Sequence, residues 1–407
     1  MSDPTKTLFQ LALGITDPWA IDRLEFDPDK KRLDIHLDFK KGARFACPEG
    51  DSEQCPVHDT VDKEWRHLNF FEHEAYLHAR VPRVKCENHG VRQVSVPWAR
   101  EGSGFTLLFE ALSMLMMREM PVLAASRILG EQDTRLWRVL QHYVSQARES
   151  EDFSGVSKVG VDETSHRKGH AYISLFVDLD RSKLIYATWG KGQYTVKKFR
   201  RDLEQHSGQA QNITDFTCDF SPAYREGIKD NFPIARVTAD KYHLVQNLNM
   251  FFEQVRNDEQ RRVPGLRRRN HRYIWLKSPS KLTQHQQEDL AYFRARYRET
   301  SRAYELKLQF QDIWQLSATE APQYLDDWCK RVMRTKLFPM HTFVNMVRLH
   351  RDEILRWFTT RISNGVLEGI NSLIQATKRR ARGYRTEENF IAMAYMIAGK
   401  LDFGLPT

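Results

Sequence analysis

The pattern that most restricts this chain lies between residues 156 and 256. Three strand-like runs, 158–163, 171–180 and 184–189, follow one another across short polar turns. A helical stretch at 196–206 comes next, with apolar and charged residues at helical spacing. The chain then reads as a strand ending at Phe220, a helix after Pro222, a strand around 235–238 and a helix from Leu244. Strands joined by short turns pair antiparallel, and strands joined through a helix pair parallel. The order predicts a mixed sheet covered by helices.

That order is the arrangement of RNase H-like folds, and it gives two acidic residues a common address. Asp162 ends the first strand of the run, in Val159-Gly160-Val161-Asp162-Glu163-Thr164, and Asp219 ends the fourth, in Phe216-Thr217-Cys218-Asp219-Phe220. With strands one and four as neighbours, both side chains meet at one edge of the sheet. A carboxylate closing an apolar strand is costly unless it is solvated, paired or metal-bound. The third acid of an oxygen-ligand site is expected at Glu368, in Asn364-Gly365-Val366-Leu367-Glu368-Gly369-Ile370-Asn371-Ser372, on a late helix that goes on to Lys378, Arg379 and Arg380. Such a trio suits two Mg²⁺ or Mn²⁺ ions, with Asp162 bridging both and Asp219 and Glu368 holding one each. Taken singly, each Asp also reads as a helix cap or a solvated strand end.

The rest of the chain divides around this zone. Residues 1–103 are turn-rich, with short strands expected near 32–37 and 75–79. Residues 104–155 read as helices: an apolar one over 105–117, a shorter one opened by Pro121 and broken at Gly130, and a third capped by Asp133. Two helices joined by a short Gly-containing turn suggest a helix-turn-helix, with Thr134, Arg135 and Arg138 where base edges are reached; a plain helical linker is the alternative. Residues 257–407 are helical and basic, with Arg261-Arg262, Arg267-Arg268-Arg269 and Lys378-Arg379-Arg380. Lys378, Arg379, Arg380, Arg382 and Arg385 are expected against DNA phosphates, while Trp275 and Tyr384 are either base-stacking or core residues.

Composition agrees with a polyanion partner. The 407 residues carry a formal net charge of +9, and each neutralised phosphate releases counterions. No apolar run is long enough to cross a bilayer and no signal peptide is evident, so a cytoplasmic location is expected. The five cysteines, Cys47, Cys55, Cys86, Cys218 and Cys329, are odd in number, which argues against a disulfide framework. Cys86 and His89 have the spacing of half a tetrahedral zinc site, and the other half is expected near Cys47.

Taken together, these segments resemble an ISL-three-type insertion-sequence transposase, a branch of the DDE superfamily. The resemblance rests on Trp65-Arg66-His67-Leu68, Val96-Pro97-Trp98-Ala99, Gly160-Val161-Asp162-Glu163-Thr164 and Asp219-Phe220-Ser221-Pro222-Ala223-Tyr224. It continues through Asp240-Lys241-Tyr242-His243, Glu368-Gly369-Ile370-Asn371-Ser372 and Arg382-Gly383-Tyr384-Arg385. It implies an α+β multidomain chain: a zinc-binding module (1–103), a helix-turn-helix (104–155), and an RNase H-like core in two parts (156–243 and 363–407) around a helical insertion (244–362). It implies Asp162, Asp219 and Glu368 as the catalytic acids. Asp240 and His243 match an Asp-x-x-His element, read as supporting the site or positioning DNA; the plainer reading is a helix cap and a packed first-turn histidine.

The resemblance also implies a structural zinc, but Gly50 stands where relatives place a second cysteine. The ligand set is therefore read as Cys47, Cys55, Cys86 and His89, with His58 as a substitute, against a degenerate finger held by Trp65, Leu68 and Trp98. The expected partner is double-stranded DNA, both terminal inverted repeats and target, with the chain acting as a homo-oligomer. A catalytically silent DNA-binding relative and a nuclease that cuts without joining are the competing readings.

Overall fold

The computed structural model describes residues 3–50, 54–167, 171–263, 271–362 and 364–406. The expected basic stretch Arg267-Arg268-Arg269 lies outside them. The chain forms two compact units, Met1–Ser145 with Asp402–Thr407, and Gln146–Leu401.

In the first unit, helix α1 (Pro4–Ala12) precedes strands β1 (Trp19–Asp27), β2 (Arg32–Phe39), β3 (Arg44–Ala46), β4 (Gln54–Phe70), β5 (His73–Cys86) and β6 (Gly90–Gln93). They make one sheet in the order β1-β2-β5-β4-β3, with β6 on β5. Leu33, Ile35 and Leu37 alternate with polar residues on β2, as Ala75, Leu77 and Ala79 do on β5, so one face is buried. That face holds Trp19, Trp65 and Trp98, with Trp98 4.9 Å from Trp19 and 5.7 Å from Trp65 between ring centroids.

Three helices follow: α2 (Leu107–Glu119), α3 (Val122–Leu129) and α4 (Asp133–Glu149). Pro121 precedes α3, and Gly130 ends it at φ 69°, a conformation glycine adopts without penalty. Arg66 ties β4 to α2. It is 2% exposed, its amide donates to Gly104 O at 3.0 Å, its carbonyl accepts from Thr106 N at 3.0 Å, and its guanidinium reaches Asn69 and the Ala75 carbonyl.

The second unit carries strands β7 (Lys158–Arg167), β8 (Ala171–Asp178), β9 (Lys183–Trp189), β10 (Asp215–Cys218) and β11 (Arg236–Ala239) in the order β11-β10-β7-β8-β9. The β7–β8 and β8–β9 pairs are antiparallel, and β7–β10 and β10–β11 are parallel. Helices α5 (Gln193–Gln205) and α6 (Pro222–Asn231) supply the crossovers. They pack Val196, Phe199, Tyr224 and Ile228 against Val159, Val161 and Phe216 on one face.

After α7 (Lys241–Arg262) come α8 (His271–Leu276), α9 (Gln284–Arg296), α10 (Arg298–Asp312), α11 (Ala321–Met333), α12 (Phe338–Leu349) and α13 (Arg351–Thr360). Together they enclose a separate apolar core that includes Trp275, Tyr304, Trp328 and Phe343. Trp275 is fully buried there, with Tyr304 at 5.3 Å, so of its two readings the core one holds. Helices α14 (Gly365–Arg380) and α15 (Glu387–Ala398) then return to the sheet.

Two strand limits differ from expectation. Asp162 does not end its strand, because β7 continues to Arg167. Thr164 and His166, polar enough to read as a turn, are 2% and 3% exposed, and Gln375 and Phe390 cover them. β10 stops at Cys218, which leaves Asp219 on the first residue beyond it.

Gly160 leaves room for Leu179 against β7, with Thr217 and Leu367 beside it. A Cβ there would lie 2.9 Å from Leu179 Cδ2, 3.4 Å from Thr217 Cγ2 and 3.5 Å from Leu367 Cδ2. Gly160→Val should therefore cost about 1–3 kcal/mol by overpacking, measured by denaturant unfolding, with Gly160→Ala the milder change. Equal stability of the valine variant and the wild type would show that the crowding by Leu179 is relieved at no cost.

Candidate active site

The acids are brought together by register. β10 pairs with β7 so that Phe216 faces Val159 and Thr217 faces Gly160. Continuing the same parallel register places Asp219 level with Asp162. Side chains alternate along a strand, so Asp162 shares the face of Gly160, and Asp219 that of Thr217. This is the face that receives α14, where Leu367 packs over Gly160 with Glu368 as its neighbour in the first turn.

The electrostatics report the same convergence. Burial lifts the Asp162 carboxyl above its ordinary range; the negative charge of Asp219 adds to this, and the Glu163 amide, Asn371 and His243 oppose it. Burial likewise raises Glu368, reinforced by the charges of Asp240 and Asp162. Among the described residues, none of Asp162, Asp219 and Glu368 forms an ion pair within 4 Å with Lys, Arg or His. Carboxylates held together and left without a cation make a site that can hold divalent ions through oxygen.

The surrounding polar groups fix these side chains. Asp162 Oδ1 accepts from its neighbour's amide, Glu163 N, at 2.8 Å, and Oδ2 accepts from Asn371 Nδ2 at 3.0 Å. Asp219 Oδ1 accepts from Ser221 N at 2.9 Å as the chain enters α6. Asp240 caps α7 by accepting from Tyr242 N at 2.8 Å, and His243 Nε2 lies 3.6 Å from its other oxygen. Burial raises Asp240 as well. Sequence reasoning did not single out Asn371 or Asn364. Asn371 lies three residues beyond Glu368 on the helix, a spacing that places both on one face and could have pointed to it.

The basic residues after Glu368 divide into two sets. Lys378 is half-buried and donates to the Ser165 carbonyl, and Arg167 reaches the Arg385 carbonyl. Arg379, Arg382 and Arg385 are exposed and line a groove of about 760 Å³ with Lys378 and Arg167. Arg380 is exposed outside that lining. Tyr384, 9% exposed, stacks on Phe390 at 5.3 Å, which makes it a core residue and not a free stacking platform.

In the first unit, Cys47, Cys86 and His89 form a group of mutually close ligand atoms. His89 Nδ1 lies 3.6 Å from Cys47 Sγ and 3.5 Å from Cys86 Sγ. A tetrahedral zinc with ordinary Zn–S and Zn–N bonds separates S and N ligands by about 3.5 Å, so these three residues fit the ion. Cys55, the fourth expected ligand, is buried in β4 opposite Phe45 of β3 and is not among the three; His58 is exposed.

The helix-turn-helix residues also separate. Thr134 and Arg138 are exposed, whereas Arg135 turns inward, 2.6 Å from Glu131 and 4.0 Å above the Phe105 ring.

Comparison with known proteins defines the class, a transposase. A transposase family model, the DDE domain of the ISL3 group, matches residues 159–394. A helix-turn-helix model of transposase family ISL3 matches 94–144, and a zinc-finger model of transposases IS204/IS1001/IS1096/IS1165 matches 43–89. The chain belongs to the ISL3 transposase family. It is similar to the transposase for insertion sequence element IS1557 of Mycobacterium tuberculosis, in strains CDC 1551 / Oshkosh and ATCC 25618 / H37Rv, at 26% identity across 96% of this chain and 94% of that one. It is also similar to the transposase for insertion sequence element IS1001 of Bordetella parapertussis, at 26% identity across 93% of this chain and 95% of that one. No helix among the described residues is long and apolar enough to cross a membrane.

Two outcomes follow from this geometry. A carboxyl whose folded-state pKa is raised keeps a proton that the unfolded chain has already released, so stability without divalent ions falls as pH rises through that window. Asp162→Asn should flatten this slope and raise the ion-free melting temperature at neutral pH by about 2–4 °C, read by calorimetry across a pH series. A slope untouched by the substitution would contradict the assignment. Zinc chelation should lower the melting temperature of the wild type and leave Cys86→Ser little changed, because structural metal binding is folding free energy. Equal chelator shifts in both proteins would remove Cys86 from the ligand set.

Proposed function

We propose that this transposase binds the terminal inverted repeats of its insertion sequence, cleaves DNA strands at the element boundaries and joins the freed 3′ ends to target DNA by two-metal phosphoryl transfer. What supports this reading is that Asp162 and Asp219 stand level on neighbouring strands and the charge of Asp162 acts on Glu368 of α14, with a basic groove along the same late helix. The strand order β9-β8-β7-β10-β11, antiparallel then parallel, supports an RNase H-like core over 156–243 and 363–407 that is interrupted by the helices of 244–362.

Two Mg²⁺ or Mn²⁺ ions would be held by Asp162, Asp219 and Glu368. Bound there, the ions would activate a water or a DNA 3′-hydroxyl and stabilise the leaving oxygen. The chain's own contribution is to orient. Asn371 fixes the Asp162 carboxylate, Asp240 and His243 stand behind the metal-binding acids, and Arg379, Arg382 and Arg385 take backbone phosphates alongside Lys378 and Arg380. Thr134 and Arg138 read base edges from the start of α4, with Arg135 as their internal buttress. Cys47, Cys86 and His89 hold a structural zinc, ordering the 1–103 module for end recognition. Both element ends must be engaged at once, so the working form is a homo-oligomer on double-stranded DNA, in the cytoplasm beside the nucleoid.

Purified protein incubated with labelled element ends and Mg²⁺ or Mn²⁺ should yield nicked and strand-transferred products. Asp162→Ala should yield neither while still binding the ends. Binding without any cleavage by the wild type would favour a silent DNA-binding relative, and cleavage without joining would favour a nuclease. Cleavage by Asp162→Ala would overturn the site.

A further inference from the structure

The helix that carries Glu368 re-enters the fold after the whole of the α7–α13 core, so chain continuity does not fix its register against β7. A buried polar relay does. Asn364 stands at the N-cap of α14, where its side chain would ordinarily bind the first free amides of the helix, yet it makes no such bond. It is spent sideways. Asn364 Oδ1 accepts from Thr217 Oγ1 of β10 at 2.6 Å, and Nδ2 donates to Asp240 Oδ2 at the head of α7 at 2.8 Å. Thr217, Asn364 and Asp240 are 1%, 5% and 4% exposed, so none of these groups exchanges its partner for water.

The same residue reaches Glu368 through the backbone, because the Asn364 carbonyl accepts from Glu368 N at 2.7 Å. One side chain thus binds the strand two residues before Asp219 and the cap of the helix bearing His243, while its carbonyl holds the amide of Glu368. A buried amide satisfied at both ends tolerates only one placement, since a shift of either partner leaves a desolvated group unpaired.

We propose that Asn364 is a positioning residue for the reaction: bridging Thr217 and Asp240, it sets where α14 presents Glu368 to the divalent ions. The assignment rests on the metal-site reading given above. Outer groups that orient ligands govern metal affinity, and their loss weakens it by about 10–100-fold. A role limited to fold stability would leave ion affinity intact in the folded variant.

The test is a manganese titration of the full-length chain without DNA, following free Mn²⁺ by electron paramagnetic resonance. The wild type is compared with Asn364→Ala, Glu368→Ala, the double variant and Asp162→Ala. Asn364→Ala should bind Mn²⁺ at least about tenfold more weakly while retaining wild-type affinity for the element ends. If it acts through Glu368, the double variant binds no more weakly than Glu368→Ala alone, since coupled sites are not additive. Wild-type Mn²⁺ affinity in Asn364→Ala, or full additivity in the double variant, overturns the inference while Asp162-dependent binding keeps the metal site standing. Equal Mn²⁺ binding by wild type and Asp162→Ala overturns the metal site and this inference with it. Should Asn364→Ala fail to fold, Thr217→Val takes its place, removing one hydroxyl at nearly constant volume. A loss of about fivefold in Mn²⁺ affinity is expected there, and unchanged affinity overturns the inference.

Discussion

Asp162 and Asp219 stand level on neighbouring strands, Glu368 on α14 is near enough for the charge of Asp162 to raise it, and such like charges repel one another. Much of the second unit can be understood as the structure that keeps them in place regardless. Parallel pairing of β10 with β7 brings Asp219 level with Asp162, and no freedom of the connecting loops alters that register. The burial that lifts the Asp162 carboxyl is the cost of this arrangement, offset in part by the Glu163 amide and Asn371. Such tension is common where a protein must bind hard cations, because the ions supply the missing charge.

Delivery of the third acid is the harder problem for this chain. Glu368 is separated from β11 by an entire helical core built on Trp275, Trp328 and Phe343, which packs by its own apolar contacts. What returns α14 to the sheet is local chemistry at its first two turns: Leu367 over Gly160, Asn364 between Thr217 and Asp240, and Asn371 on Asp162. The last turns of the same helix hold Lys378 against β7 and leave Arg379 and Arg380 exposed. One helix therefore presents both the acid proposed to bind metal and groups suited to phosphate.

The parts of this design that were legible in the sequence are those that obey short-range rules. Strand order followed from turn lengths and helical spacing, and it brought Asp162 and Asp219 to neighbouring strands. The late helix that starts before Glu368 and ends in Lys378-Arg379-Arg380 was also legible, from its local pattern. Asn364 was not, because its partner Thr217 lies 147 residues away and no local spacing encodes the contact, whereas Asn371 stands one turn after Glu368 on the same helix face. Strand ends misled where tertiary cover replaced solvent, as at Thr164 and His166 under α14 and α15. Arg135 occupies a recognition position by sequence, but Glu131 lies one turn earlier and Phe105 provides a ring, and both draw it inward. For the cysteines, spacing paired Cys86 with His89 but could not reveal that Cys55 would face Phe45 across β3.

If Asp162, Asp219 and Glu368 act as one cation-binding centre, as proposed, crystals of the full-length chain grown with Mn²⁺ should show it by anomalous diffraction. Manganese density in contact with Asp162 and bounded by both other acids is expected. Manganese bound elsewhere, or density at Asp162 with Glu368 out of bonding reach, would contradict it.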